Sequence, residues 1–230
     1  MFPAAFDRDL PPEVEPFSFV PVSGLEEIAT ALRVGPGESL VDLACGRGGP
    51  GMWVARRTGA ALRGVDGSPV AVEAASRRRD AFGLGARARF AVGDLAATGL
   101  ADGEAAAVLC VDAFPFAEDL DAVARELWRV LRPGGRLALT CWEPRVLGDE
   151  GVPARIATLR CGDVLRSAGF GEVEVLERPE WEERRRAVYE AALGDERPDD
   201  PGLAIIRLEA RSALPKMPLL RRVLVTAVRA

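Results

Sequence analysis

Residues Ser39–Ala55 read SLVDLACGRGGPGMWVA. A short apolar run ends in a glycine-rich turn. Gly46, Gly48 and Gly51 then fall at the G-x-G-x-x-G spacing of a strand–loop–helix unit that cradles a dinucleotide. Asp42 does not fit that reading, because it sits inside the apolar run, four residues before the first glycine. A dinucleotide site has apolar residues at that point and wants a basic residue near its phosphates. The loop could hold a nicotinamide or flavin dinucleotide, another nucleoside, or nothing, and the residues after the later strands decide which.

Working outward, strand and helix alternate from Leu40 to Trp142. "LVDLAC" is a buried strand, "PGMWVARRTG" a helix ending at Gly59, and "ALRGVDGS" a second strand. "PVAVEAASRRRDAFGLG" is a helix with proline at its start and glycine at its end. "ARARFAVGDL" and "AAAVLCVDAFPF" are strands three and four. "DLDAVARELWRVLRPGG" is an amphipathic helix stopped by Pro-Gly-Gly, and "RLALTCWEP" is strand five. This spacing predicts an α/β, doubly wound, mostly parallel sheet with helices on both faces. Upstream, residues 1–23 form an irregular Pro- and Phe-rich arm, followed by a helix in "SGLEEIATALRV" with Ser23 as N-cap. Downstream come a short helix in "CGDVLRSAGF" and an alternating strand in "EVEVLERPEW". Helices in "EERRRAVYEAALG" and "GLAIIRLEARSAL" flank the polar "DERPDDP", and "RRVLVTAVR" is a terminal strand. A strand, a helical pair and a last strand suggest an edge hairpin carrying an inserted small helical lid, at about 181–216. The expected organisation is one domain over 1–230. Residues 1–37 are arm and helix, 38–142 a cofactor-binding core, and 143–230 a C-terminal part with the lid.

Composition narrows the chemistry. A chain of 230 residues, 48% hydrophobic, can bury a core without a metal or disulfide staple. The formal charge of -5 gives no global footprint for a polyanion. The triplets Arg77–Arg79 and Arg184–Arg186 read as solvated helix faces, with an anionic substrate contact the minority reading. Histidine is absent, which removes His-based triads, most zinc sites and the usual proton shuttle. Cys45, Cys110, Cys141 and Cys161 are isolated in sequence, fit small buried hydrophobes of a reduced cytoplasmic protein, and suggest no metal. "MFPAAFDRDL" lacks the basic head of a signal peptide, and no segment approaches the roughly 20 apolar residues of a membrane span. The expectation is a soluble, cytoplasmic protein with a small-molecule partner, no nucleic acid and no membrane. Its oligomeric state stays open.

In open α/β sheets ligands lie beyond the carboxyl ends of the strands. Asp66, about 20 residues after the first glycine, stands where a carboxylate accepts both ribose hydroxyls. Asp94 follows strand three and could accept from an exocyclic amine such as adenine's. With Asp42 these make three carboxylates along one cleft, unfavourable for a pyrophosphate but suited to a neutral adenosine with a cationic tail. A nicotinamide reductase is disfavoured by the same acids and by the missing Tyr/Lys or His relay.

The series "VDLACGRGG", "GVDGSPVAVEAA", "ARFAVGDL", "VLCVDAFPF" and "LWRVLRPGGRLALT" resembles the class I S-adenosylmethionine-dependent methyltransferases, over about residues 38–142. The resemblance implies seven strands with a C-terminal reversed strand, and S-adenosyl-L-methionine as cofactor. It implies that Gly46 and Gly48 pack backbone against the methionine part and that Asp66 binds ribose. Asp94 and the backbone of Leu95 then bind adenine, and Asp42 sits near the methionine amino group through water. Gly67 and Val111 stand beside these as cofactor-lining positions. One departure is Ala44, where the family usually has glycine, so that Cys45-Gly46 is expected to carry the turn.

Methyl transfer from a sulfonium is an in-line displacement, in which positioning alone can supply about 7–11 kcal/mol. An alcohol or phenol acceptor benefits from a base worth about 10²–10⁴-fold. Candidates by location are Asp112 after strand four, Glu143 after strand five and Tyr189 on the lid, each also readable as structural. Phe114, Phe116, Trp142 and Trp181 could line an apolar substrate pocket or belong to the core. The absence of Asn-Pro-Pro-Tyr after strand four counts against the DNA-amino and glutamine methyltransferase subgroups. The expected function is methylation of a small, apolar or aromatic metabolite, with O-, N- or C-methylation open. The alternatives are a non-methylating reaction on the same cofactor fold or, further off, an NAD(P)-dependent reductase.

Overall fold

The computed structural model describes residues 7, 9–15, 19–195 and 201–230. The first six residues, most of the polar loop at 195–201 and residues 16–18 of the arm lie outside the described residues. Seven strands form one sheet: β1 (Ser39–Leu43), β2 (Ala61–Asp66), β3 (Ala88–Val92), β4 (Ala105–Val111), β5 (Leu131–Pro144), β6 (Phe170–Glu177) and β7 (Leu220–Arg229). Their spatial order is β3-β2-β1-β4-β5-β7-β6. The first five run parallel, and β7 inserts antiparallel between β5 and β6. The chain reverses its direction of travel across the sheet between β1 and β4, which is where such sheets open a ligand crevice.

The helices are α1 (Val22–Leu32), α2 (Gly49–Thr58), α3 (Pro69–Arg78), α4 (Leu120–Val130), α5 (Cys161–Ser167), α6 (Pro179–Gly194) and α7 (Pro201–Ala213). Alternation along β1 shows how they cover the sheet. Leu40 joins the cluster formed with α1 and α2, while Val41 and Leu43 join the cluster under α4 and α5. Successive side chains leave a strand on opposite faces, so Asp42 shares the Leu40 face and points at α2.

The start of α1 differs from expectation. Ser23 lies inside the helix, and Pro21 occupies the N-cap without a side-chain bond. The Val22 N–H donates instead to Asp7 Oδ2 at 2.8 Å. A carboxylate from the arm thus supplies the acceptor that proline lacks, at the helix end where negative charge is favoured. The helix expected over 69–85 stops at Arg78, and the chain leaves through Gly83 and Gly85, both at positive φ. α4 ends at Val130, ahead of the Pro-Gly-Gly, with Leu131 already extended. Pro133 disfavours helical backbone just before it, so the break falls earlier than the proline itself. β6 ends at Glu177 because Pro179 opens α6. Among the described residues no helix is long and apolar enough to cross a membrane.

Candidate cofactor cleft and acceptor cavity

The turn after β1 leads into the start of α2. Ala44 adopts φ 54 and Gly46 φ 52, so the alanine itself takes the left-handed conformation rather than leaving the turn to Cys45-Gly46. For an L-residue that conformation costs roughly 1–2 kcal/mol. Ala44→Gly is therefore expected to stabilise the fold by up to about 1 kcal/mol, since glycine's extra unfolded-state freedom takes back about 0.4–1 kcal/mol. Chemical denaturation checks this, and a loss of stability beyond about 0.5 kcal/mol would refute it.

Two further glycines are fixed by close approach. A methyl on Gly51 would overlap the Asp42 carboxylate, and one on Gly49 would overlap the Val14 carbonyl of the arm. The third glycine of the motif thus makes room for Asp42 beneath the first turn of α2. Gly48, at φ 78, is the N-cap of α2 and faces Met52, Phe90 and Ala75, which makes it a packing position.

A cavity of about 240 Å³ opens over this turn, lined by Asp42, Ala44, Cys45, Gly46, Val111 and Asp112 and by Val14 and Glu15 of the arm. Arg47 and Arg78 complete its rim, with Glu15 at 3.3 Å from Arg47 and 3.4 Å from Arg78. Asp42 is 2% exposed, and its Oδ2 has no partner among the described residues. Burial, with the Asp66 carboxylate nearby, pushes its pKa up to about 8, and the nearby Gly51 amide offsets this only in part.

Of the expected cofactor residues, Asp42, Gly46 and Val111 meet in this cavity. Asp66 ends β2, Gly67 follows it, and Asp94 and Leu95 lie just beyond β3, all outside its lining. Asp66 accepts from the Gly46 N–H and the Ser68 N–H, both at 2.8 Å, tying the first and second loops together. Asp94 is exposed and accepts from the Ala96 N–H at 2.7 Å.

Asp112 also lines a second cavity of about 290 Å³, with Phe19, Pro115, Phe116, Cys141, Trp142, Arg155, Ile156 and Arg185. A further space of about 190 Å³ shares Trp142, Arg155, Ile156 and Arg185 with it and adds Ser212 and Ala213 of α7 and Lys216 just after it. The cleft and the larger cavity therefore meet at one residue. Of the four aromatics, Phe116 and Trp142 line this space, whereas Phe114 (0% exposed) and Trp181 (2%) belong to the core. Trp181 packs against Gly24, where a methyl would come within 2.6 Å of the indole.

Each of the three candidate bases is engaged by neighbouring side chains. Both oxygens of Asp112 face the guanidinium of Arg222, and Thr140 Oγ1 donates to Oδ1 at 2.9 Å. Glu143, 1% exposed, accepts from the Cys161 N–H at 2.7 Å and pairs with Arg221 at 2.7 Å. Tyr189, fully buried, donates to Glu209 at 2.6 Å and accepts from Arg185 Nε at 2.7 Å, and burial drives its pKa above the ordinary phenol range. Sequence position places an acid at a strand end but does not show the arginine opposite it. Those arginines come from β7 and α6, far along the chain.

The four cysteines are buried and free. Cys141 Sγ and Cys161 Sγ approach to 3.0 Å, and Glu143 completes a group whose ligand atoms lie within 4.8 Å of one another. The Glu143 carboxylate is already balanced by Arg221, with Arg160 at 4.0 Å, and those guanidinium charges oppose a cation there.

Residues 40–135 match a family described as "Methyltransferase domain". The methyltransferase GfsG of Streptomyces halstedii is 34% identical over 129 residues, 56% of this chain and 46% of that protein. A sterol 24-C-methyltransferase of Yarrowia lipolytica is 32% identical over 123 residues, 54% of this chain and 32% of that protein. In fold, phosphoethanolamine N-methyltransferase 2 of Haemonchus contortus, solved with S-adenosyl-L-methionine, superposes with a TM-score of 0.76 at 19% identity. That alignment covers 90% of this chain and 52% of that one. The core segment, residues 40–135, thus matches a methyltransferase domain, and the chain shares its fold with S-adenosylmethionine-binding methyltransferases. It spans less than half the length of these two curated relatives.

Proposed function

We propose that the chain binds S-adenosyl-L-methionine in the cleft over β1 and transfers its methyl group to a small molecule held in the adjoining cavity. The observation that carries this is Asp42, a buried carboxylate with one oxygen unpartnered, lining the cavity at the switch between β1 and β4. A fully buried acid without a cation costs free energy, and an ammonium placed over it would relieve that cost. Arg47 and Arg78 on the same rim suit the carboxylate of an amino-acid moiety. The adenosine end falls in this reading to Asp66 and Gly67 for the ribose, and to Asp94 and the Leu95 backbone for the base. Gly46 and Val111 line the methionine side, and Gly48 shapes the loop. The chain acts as one unit, with the core over 38–142 and the lid contributed by α6 and α7.

When bound, the cofactor supplies a methyl group on a positively charged sulfur. The chain's own part is to hold the acceptor at the junction of the two cavities, against the rings of Phe19, Phe116 and Trp142. Asp112, fixed by Arg222, forms the wall between the two spaces. Among the described residues no unpaired carboxylate lines the acceptor cavity. Catalysis therefore relies on alignment, which suits an acceptor whose reacting atom is already nucleophilic. The methyltransferase relatives named above support methyl transfer over a non-methylating reaction.

Calorimetric titration tests the cofactor. Saturable binding of S-adenosylmethionine is expected, with none for NADPH, and Asp66→Ala is expected to abolish it while the circular-dichroism spectrum is kept. Saturable NADPH binding, or an unchanged affinity in Asp66→Ala, would overturn the reading. Transfer of label from methyl-labelled cofactor into a metabolite extract tests the chemistry, which fails if all label stays in the cofactor.

A further inference from the structure

We propose that the acceptor is an amphipathic anion, a carboxylate or phosphate-ester head on an aromatic or branched apolar body, whose head is bound by Arg155 and Lys216. This rests on the acceptor cavity assigned above. The cavity and its extension are walled by Phe19, Phe116, Trp142, Ile156 and Met217, and carry three cations, Arg155, Arg185 and Lys216. The one carboxylate in the lining, Asp112, is neutralised by Arg222.

The three cations differ in what already binds them. Arg185 is held by Glu209 at 2.8 Å and by the Tyr189 hydroxyl, and lies over the rings of Phe19 and Trp142 at 5.0 and 5.2 Å. Its neighbours in the Arg184–Arg186 triplet point elsewhere, Arg184 to Asp7 at 3.6 Å and Arg186 to Glu182 at 3.7 Å. Only the middle arginine enters the cavity, so the triplet is not simply a solvated face. Arg155 lies over the Phe116 ring at 4.6 Å, which leaves its guanidinium edge for a ligand. Neither Arg155 nor Lys216 has a carboxylate within ion-pair distance among the described residues, although the chain as a whole carries more acids than bases.

Positive charge in a ring-walled space favours an anion more strongly than the same charge in open water, because the local dielectric is lower. A planar guanidinium matches two oxygens of a carboxylate or phosphate at once, and an ammonium adds a point charge. The same lining repels a protonated amine, so a cationic acceptor is disfavoured. The apolar walls then fix the body of the molecule with its reacting atom toward Asp112 and the cofactor cleft.

The test uses 1-naphthyl phosphate, 1-naphthoate and neutral 1-naphthol in calorimetric titrations of the whole chain, with S-adenosylhomocysteine titrated in parallel. At least one naphthyl anion is expected to bind saturably and at least tenfold more tightly than 1-naphthol. The double variant Arg155→Gln/Lys216→Gln is expected to lose at least tenfold toward that anion. Its melting temperature and its affinity for S-adenosylhomocysteine should stay within error of the parent. Equal affinity for 1-naphthol, no binding of either anion, or undiminished anion affinity in the double variant would overturn the proposal. If S-adenosylhomocysteine does not bind while the anion binds through the two cations, the cofactor reading fails and the anion site stands. The reverse pattern removes the anion site alone.

Discussion

Asp42→Asn is expected to make the protein more stable at pH 8 and, at the same pH, a much weaker binder of S-adenosylmethionine. The folded carboxyl titrates at about 8, whereas an unfolded aspartate titrates near 4. Between those values the native state holds a proton that the unfolded chain has released, so stability falls as pH rises from about 4 to about 8 and stays reduced above that. Asparagine carries no such penalty. The gain at pH 8 is expected to be about 2 kcal/mol or more, roughly 5 °C in melting temperature for a chain of this size, and to shrink toward pH 5. Ligand binding has the opposite sign. A cationic ligand is held by the ionised acid, so below pH 8 each binding event must expel a proton from Asp42. Affinity should rise with pH up to about 8 in the parent and show no such rise in the variant, with the variant weaker by about a hundredfold at pH 8, or about 2.7 kcal/mol. Thermal melts across pH 5–9, with calorimetry in buffers of different ionisation enthalpy, read both effects. A variant that is less stable at pH 8, or a parent that releases no proton on binding at pH 7, would refute the role given to this residue.

Arg222→Met is expected to cost about 3 kcal/mol of stability, because it leaves Asp112 without its counter-charge. Arg222 is 1% exposed, and its guanidinium lies 5.5 Å from the ring of Trp142 and 5.9 Å from that of Trp181. Asp112 keeps about a quarter of its side chain in solvent, which sets the cost at the lower end for a broken buried pair. The double variant Asp112→Asn/Arg222→Met should recover part of that loss, giving a coupling of about 1–2 kcal/mol in a double-mutant cycle. Asparagine tolerates the left-handed φ of 58 at this position, so the second substitution adds little strain. Urea denaturation of the four proteins measures the cycle. A single-variant loss below about 1 kcal/mol would show that Asp112 is solvated rather than held.

The core was readable from sequence because its signals are local. Glycines at Gly46, Gly48 and Gly51, the Ser68-Pro69 start of α3, and the acids Asp66, Asp94 and Asp112 at strand ends report on residues within a few positions of themselves. The position of Asp42 could be derived the same way, since alternation along β1 alone sends it to the α2 face. What stayed hidden depends on elements far apart in the chain. Asp7 caps α1 from 15 residues away, and Arg222 reaches Asp112 across 110. No periodicity encodes such pairings. For the same reason the partners of Asp112, Glu143 and Tyr189, namely Arg222, Arg221, Arg185 and Glu209, could not be read from the sequence. Phe114 and Phe116 differ by only two positions, yet one is buried core and the other is 66% exposed at the acceptor cavity. The short 3-10 turn between them decides which way each ring faces.

The reversed last strand has an electrostatic consequence. Parallel strands bring their carboxyl ends to the ligand side, and here those ends carry Asp42, Asp112 and Glu143. β7 runs the other way, so its opening residues reach the same rim, with Arg222 opposite Trp142 and Arg221 opposite Glu143. Had it run parallel, both arginines would stand near the far edge of the sheet, about 23–26 Å from this rim at roughly 3.3 Å per residue along the 10-residue strand. The antiparallel turn of the chain therefore works as a delivery of counter-ions to a crowded anionic edge, and of these three acids it leaves Asp42 without one.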